Sequence, residues 1–118
     1  MPRARFVARA TGAAAIDIDH VCNDVMKLEQ ITIHFDSAPT TSENITIIKD
    51  STGGAAYDTT LVTYDPSVDD AEDIVIIGGT MHYNTEPVTF LQNDILKIDY
   101  ANTDENTYGV EVIFRQAD

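Results

Sequence analysis

The sequence predicts an all-β fold: a single antiparallel β-sandwich, jelly-roll-like, of about eight strands with an N-terminal arm. From residue 26 onward, short apolar runs rich in β-branched and aromatic residues alternate with clusters of Gly, Asn, Asp, Ser, Thr and Pro. The 118 residues are 43% hydrophobic and 23% charged, which is the composition of one globular domain. Helical periodicity is nearly absent.

The apolar runs define eight predicted strands separated by turn-forming residues. Their ranges are 13–18, 26–36, 43–50, 56–64, 72–77, 87–91, 95–101 and 106–115. The last strand has the clearest period of two, because one set of side chains is apolar and the alternate set is not. The apolar set is Tyr108, Val110, Val112 and Phe114, and the alternate set is Thr107, Glu111 and Arg115. This strand is therefore expected to be buried on one face.

The second strand changes its inward parity partway along. Met26 and Leu28 are even-numbered, whereas Ile31, Ile33 and Phe35 are odd-numbered. A regular strand cannot switch faces, so the pattern predicts a β-bulge near residues 29 and 30. An alternative remains for 18–28, where apolar residues recur at helical spacing and would form a short helix. Weak helix formers at 21–25 favour strands there instead.

Turns are predicted at four places: 51–54, 65–67, 78–79 and 102–104, where Gly, Pro, Asn, Asp and Ser cluster. Packing two sheets face to face then gives an expected core. Its members are Ile33, Phe35, Ile47, Leu61, Ile76, Ile98, Val110, Val112 and Phe114, with Ile48, Val75, Ile77 and Leu96 competing for the same faces.

Charge is distributed unevenly. The chain has seven basic and twenty acidic residues, for −13, yet residues 1–16 carry three arginines and no acid. We therefore divide it into an arm with the first strand (1–25) and a sandwich domain (26–118). The arm is either a frayed terminus or a docking arm that contacts a capsid or a neighbouring subunit and orders only on docking. Its contact residues would be Arg3, Arg5, Phe6, Val7 and Arg9, with Phe6 on the opposite strand face from the others.

Sequence motifs for chemistry are weak. The three histidines (His20, His34 and His82) lack metal-ligand spacing, and no frame surrounds a catalytic serine or cysteine, so we expect no enzyme, no cofactor and no metal. Parity places His34 opposite the core, towards solvent or an interface. The acidic segment 65–73 could hold Ca²⁺, but it lacks the spacing of a calcium loop. Five tyrosines leave a sugar-binding platform open.

The overall composition also limits the partners and the environment. A body of −16 outside the arm repels phosphate, which argues against nucleic acid, and no apolar run is long enough to cross a membrane. The single cysteine, Cys22, cannot form an intrachain disulfide. A body this acidic is expected either on the outside of a particle, where self-repulsion keeps it hydrated, or in a saline medium, where salt screens its charges.

Two segments resemble a known group of proteins. They are KLEQITIHFDSAPTTSENITIIKDSTGGAAYDTTLVTYD (27–65) and LQNDILKIDYANTDENTYGVEVIFRQ (91–116). This pattern is similar to that of small β-sandwich structural proteins encoded by tailed bacteriophages. The resemblance covers about residues 26–116, and the arm and the strongly acidic body stand apart from it.

The resemblance implies a non-enzymatic capsid decoration (cement) protein. Such a protein is made in the host cytoplasm, binds the major capsid protein on the outside of the virion, and commonly forms a homotrimer. A tail or fibre module that binds a host glycan is the alternative. An enzyme or a metal-dependent accessory protein is a third possibility, to which the residues give least support.

Overall fold

The structure is a computed structural model that describes residues 4–78 and 87–117. These residues form nine strands and one 3-10 turn. The strands are β1 (Arg5–Gly12), β2 (Ile16–Val21), β3 (Met26–Phe35), β4 (Ile45–Asp50), β5 (Thr59–Tyr64), β6 (Asp73–Ile77), β7 (Val88–Phe90), β8 (Ile95–Tyr100) and β9 (Tyr108–Gln116). Each of the eight predicted runs overlaps one strand, although β2 extends three residues beyond the run predicted at 13–18, so the all-β prediction is confirmed.

The strands form two antiparallel sheets. One has the order β1-β9-β3-β6, with the short β7 also paired to β3, and the other has the order β2-β8-β4-β5. Because most neighbours within a sheet are far apart in sequence, the chain crosses repeatedly between the sheets. In each sheet an early strand pairs with a late one, β1 with β9 and β2 with β8. This is the arrangement of a jelly roll.

Alternation along each strand places the core between the sheets. All nine residues of the expected core are buried, and of the four competitors only Leu96 is buried too. Val75 and Ile77 instead lie on the outer surface, with 56% and 64% of their area exposed. The bulge in β3 is confirmed, since its register against β9 shifts between Leu28 and Gln30. That shift brings Met26 and Leu28 to the same face as Ile31.

Three details differ from the sequence-based expectations. Residues 5–12 were expected either to be a frayed terminus or to order only on docking, but they pair along their whole length with β9 as a ninth strand. Residues 55–57 form a 3-10 turn before β5, so the strand predicted from 56 begins at Thr59. The helical spacing at 18–28 produces no helix, because β2 and β3 occupy both ends of that segment and pair with other strands.

The turns depend on residues that tolerate positive φ. Gly54 and Gly78 have φ of 111° and 71°, as the glycine pairs predicted, and Gly79 lies outside the described residues. Asn102 has φ of 52° and is 2% exposed. Its side-chain amide donates hydrogen bonds to the carbonyls of Ala13, Ala14 and Asn106 at 2.9–3.3 Å. The predicted turn at 102–104 therefore also ties β8 to the start of β2.

Candidate functional site

Strand β1 holds the arm residues at one edge of its sheet. Phe6, which is paired with Phe114, faces the interior side, while Arg5, Val7 and Arg9 face outward. The predicted alternation along the arm is thus confirmed for residues 5–9. Arg3 lies outside the described residues. Whether these residues contact a capsid or another subunit stays a prediction.

Cross-strand register adds further basic residues to the same surface. Arg5 lies opposite Arg115 on β9, and Arg115 lies opposite Lys27 on β3. With Arg9 they place four of the seven basic residues on one sheet face. We call the outer surface of β1, β9, β3 and β6 the basic face. Its acidic members are Glu29, Glu111 and Asp73, so four positive charges meet three negative ones there.

An apolar row crosses the basic face beside these charges. Val7 lies opposite Ile113, which is paired with Gln30, and Gln30 is paired with Ile77. Val75 lies in the adjacent row, opposite Thr32. Val7, Val75 and Ile77 are each more than half exposed. Val7 is on β1 and the other two are on β6, so exposed apolar groups lie at both margins of this charged face, where a partner that spans the face would cover them.

The arginines of the basic face pair with carboxylates of the same face, and those on β1 remain exposed. Arg9 Nε donates to Glu111 Oε2 at 2.7 Å, and Arg5 and Arg115 both approach Glu29, at 3.4 and 3.5 Å. The Arg5 and Arg9 side chains are 68% and 73% exposed. Exposed ion pairs of this kind contribute little to stability, about 0–1 kcal/mol each. Because they are this exposed, the Arg5 and Arg9 side chains remain accessible to a carboxylate on a partner.

The opposite outer surface has the reverse charge. We call the outer surface of β2, β8, β4 and β5 the acidic face; its carboxylates are Asp17, Asp19, Asp50 and Asp99. Lys97 is the basic residue among them, 3.3 Å from Asp19. Asp17 lies directly opposite Asp99. Burial, and then the charge of Asp17 and its hydrogen bond, raise the pKa of Asp99.

Removing this like-charge pair is expected to stabilise the protein. A raised pKa means that the folded state binds the proton more tightly, so ionised Asp99 costs stability as the pH rises above its unfolded value. Asp99→Asn should raise the free energy of unfolding at pH 7 by about 0.5 kcal/mol in low salt. The gain should shrink in 1 M NaCl, where the repulsion is screened.

Urea denaturation of this variant and of Asp17→Asn, which removes the same pair from the other strand, measures the effect. The double variant should gain little beyond either single one. A loss of stability in Asp99→Asn at pH 7 would contradict the like-charge interpretation.

The two described histidines and the cysteine lie in different surroundings. His20 stacks on Phe114 with ring centroids 5.3 Å apart, and burial lowers its pKa. His34 is exposed on the basic face, 2.6 Å from Asp73, which confirms its predicted orientation. His82 lies outside the described residues. Burial, and then the charge of Asp94, raise the pKa of the Cys22 thiol to about 11, so it carries little thiolate at neutral pH.

Loop carboxylates are already occupied by hydrogen bonds. Asp104 accepts bonds from the hydroxyl and backbone N–H of Thr41 and of Thr40, and these lower its pKa to about 2. In the segment considered for calcium, Asp65 accepts from Ser42 and Ser67. Across residues 4–78 and 87–117, no group of three or more His, Cys, Asp or Glu is placed to hold a metal ion. Over the same residues, no helix has the length and apolarity to cross a membrane.

Sequence reasoning identified the arm but missed most of the basic face. Lys27 and Arg115 are far apart in sequence, and only the register of β3 with β9 places them together. The sequence did indicate that apolar side chains would face outward near Val75 and Ile77, because the run at 72–77 has apolar residues at both odd and even positions. In an antiparallel edge strand such a run indicates that the outward side chains are exposed or covered by a partner.

Comparisons of the chain with protein-family models, with curated proteins and with solved structures found no match. The resemblance to phage structural proteins therefore stays a prediction that rests on the two segments quoted above.

Proposed function

We propose that this protein is a non-enzymatic structural protein of a tailed-bacteriophage virion, which binds the outside of the capsid and stabilises it. The basic face contacts the major capsid protein, and the acidic face points to solvent. The observation that carries the proposal is the separation of charge between two opposite faces of one sandwich. The sequence resemblance supports the phage assignment, and the apolar row supports the choice of docking face.

The distribution of charge gives this orientation a physical basis. A protein of −13 is repelled by most acidic surfaces, and the basic face is where that repulsion is locally reversed. Opposite potentials would guide the encounter, while Val7, Val75 and Ile77 would lose water on contact. Outward carboxylates would keep decorated particles from associating with one another.

Assembly as a homotrimer on the shell is part of the proposal. A 13.0 kDa sandwich has a small footprint, so a single copy is expected to bind modestly. Three linked copies bind with a higher effective concentration, which converts modest contacts into high occupancy. Light scattering at micromolar concentration measures the oligomeric state in solution. The trimer would be contradicted if the protein is a monomer in solution and also occupies the shell as isolated single copies.

Charge removal on the basic face is expected to reduce capsid occupancy by about tenfold. The test variant is Arg5→Gln with Arg9→Gln. The matched control is Thr60→Glu with Thr63→Glu, on exposed positions of β5, which lowers the net charge by the same two units. Both proteins are added to tail-free heads that lack the native protein, and bound protein is measured after sedimentation.

The control variant should bind as the unchanged protein does. Equal occupancy by the arginine variant would show that the basic face is not the contact. If the unchanged protein sediments with tails and never with heads, the capsid proposal itself is wrong and the tail-module alternative takes its place.

A further inference from the structure

We infer that the free edge of β1 binds an extended acidic segment of the partner protein by β-strand addition. The inference rests on the proposed function, because it specifies the partner chemistry at one margin of the basic face. It concerns the backbone edge of the strand, whereas the proposed function concerns the sheet face.

Hydrogen-bond parity shows which backbone groups of β1 are free. Ala4 O accepts from Gln116 N at 2.9 Å, just before the register that pairs Arg5 with Arg115. In an antiparallel pair, hydrogen-bonded residues alternate with non-bonded ones. Even-numbered residues of β1 therefore bond to β9, and the N–H and C=O groups of Arg5, Val7, Arg9 and Thr11 point away from it.

That outer edge is available within the described part of the chain. In the sheet formed by residues 4–78 and 87–117, β1 is terminal and pairs with β9 alone. The N–H and C=O groups of these four odd-numbered residues make eight unpaired backbone groups along the edge, which is a template for another strand; exposed edges bind extended segments for this reason. The length of β1, eight residues, is ample for such pairing.

Strand β1 exposes an apolar side chain on each of its faces, which favours a partner strand that pairs beside it. Phe6 faces the interior side and is 41% exposed, whereas Val7 faces outward and is 51% exposed. A partner lying on the basic face alone would cover Val7 and leave Phe6 in water. A strand added beside β1 places one side chain next to each, so it covers both.

The arginines select the charge of that strand. Antiparallel pairing of two copies about Val7 would place Arg5 of one copy opposite Arg9 of the other, and parallel pairing in register would place like arginines side by side. Like charges directly opposite are destabilising. A second copy is therefore disfavoured at this edge. A segment with acidic side chains opposite Arg5 and Arg9, and an apolar one opposite Val7, forms two charge-assisted pairs instead.

The test uses a synthetic peptide in which glutamate, valine and glutamate alternate with threonine. In NMR titration of the full chain, we expect saturable shifts centred on β1 at or below about 1 mM peptide. A peptide with lysine in place of glutamate should bind about tenfold more weakly or not at all. Absence of shifts with the acidic peptide would overturn the inference.

A proline substitution separates strand addition from side-chain contact. Val7→Pro removes an outward N–H that β9 does not use, a position where edge strands tolerate proline. We expect the variant to stay folded and to bind the acidic peptide about tenfold more weakly. Unchanged affinity of Val7→Pro for the acidic peptide would overturn the inference. If the proline variant does not fold, the double variant Arg5→Gln with Arg9→Gln replaces it, and unchanged affinity in that variant would overturn the inference too. If the unchanged protein binds heads but does not bind the acidic peptide, strand addition is wrong and the capsid proposal still stands.

Discussion

Replacing Phe114 by alanine is expected to lower the free energy of unfolding by about 3–5 kcal/mol. The ring is fully buried near the C-terminal end of β9 and meets Phe90 edge-on with centroids 5.7 Å apart. On its other side it stacks on His20, so its removal leaves a cavity lined by both sheets. For a domain whose total stability is about 5–15 kcal/mol, this loss approaches global unfolding.

The adjacent residue provides the control for this experiment. Ile113 lies on the same strand but on the basic face, where it is half-buried. Ile113→Ala should therefore cost about 1 kcal/mol or less, because no closed cavity forms. Urea denaturation of both variants measures the difference. Equal losses would show that the side chains of β9 do not alternate between the core and the basic face.

Asp94→Ala is expected to cost about 3 kcal/mol at pH 7. The carboxylate is fully buried and accepts hydrogen bonds from the backbone N–H and hydroxyl of Thr52 and from Leu91 N, at 2.8–3.2 Å. Lys49 Nζ lies 4.0 Å away. Alanine leaves these donors buried without an acceptor and releases the turn after β4 from the turn before β8.

The same group should make stability depend on acid pH. Burial raises the pKa of Asp94, but the hydrogen bonds from Thr52 and Leu91 and the charge of Lys49 outweigh it, so its pKa lies below the usual value. Its contribution is then fully present above the unfolded pKa of about 4 and is lost as the pH falls through the lower folded value.

Unfolding measured from pH 7 down to about pH 2 checks this dependence. The free energies of the unchanged protein and of Asp94→Ala should converge as the pH falls below about 4. Asp36→Ala, at an exposed carboxylate, should track the unchanged protein throughout. A constant difference between the unchanged protein and Asp94→Ala would contradict an ionised, hydrogen-bonded Asp94.

Local patterns in the sequence were sufficient to predict much of the fold. The period of two at 108–114 and the parity switch at 29 and 30 each follow from side chains that must share one buried face. Both signals are local, since a strand's own residues record which face is buried. The same reasoning fails where both parities are apolar, as at Val75 and Ile77, because the sequence then does not say which set faces the core.

The features that sequence alone could not predict depend on distant partners. Residues 5–12 mix strand-favouring residues with two alanines and a glycine, which are depleted in strands, yet they pair with the free side of β9. Asp94 follows an asparagine in a polar turn, which is typical of a solvated loop. It is buried because the turn at 51–54 folds over it and supplies donors from Thr52.

The candidate site was predictable only in part, for the same reason. The charge step after residue 16 identified Arg5, Val7 and Arg9. Lys27 and Arg115 join them through the register of three strands, which a single sequence does not record. These basic residues share one face only because of how the strands pair in the sheet.

We propose above all that the basic face and the edge of β1 contact the capsid while the acidic face points to solvent. The most direct test is a cryo-EM reconstruction of decorated heads at a resolution that orients the sandwich. We expect Arg5, Val7 and Arg9 to lie against the shell, with Asp17, Asp19 and Asp99 on the far side. A reconstruction with the acidic face against the shell, or with β1 exposed at the particle surface, would contradict the proposal.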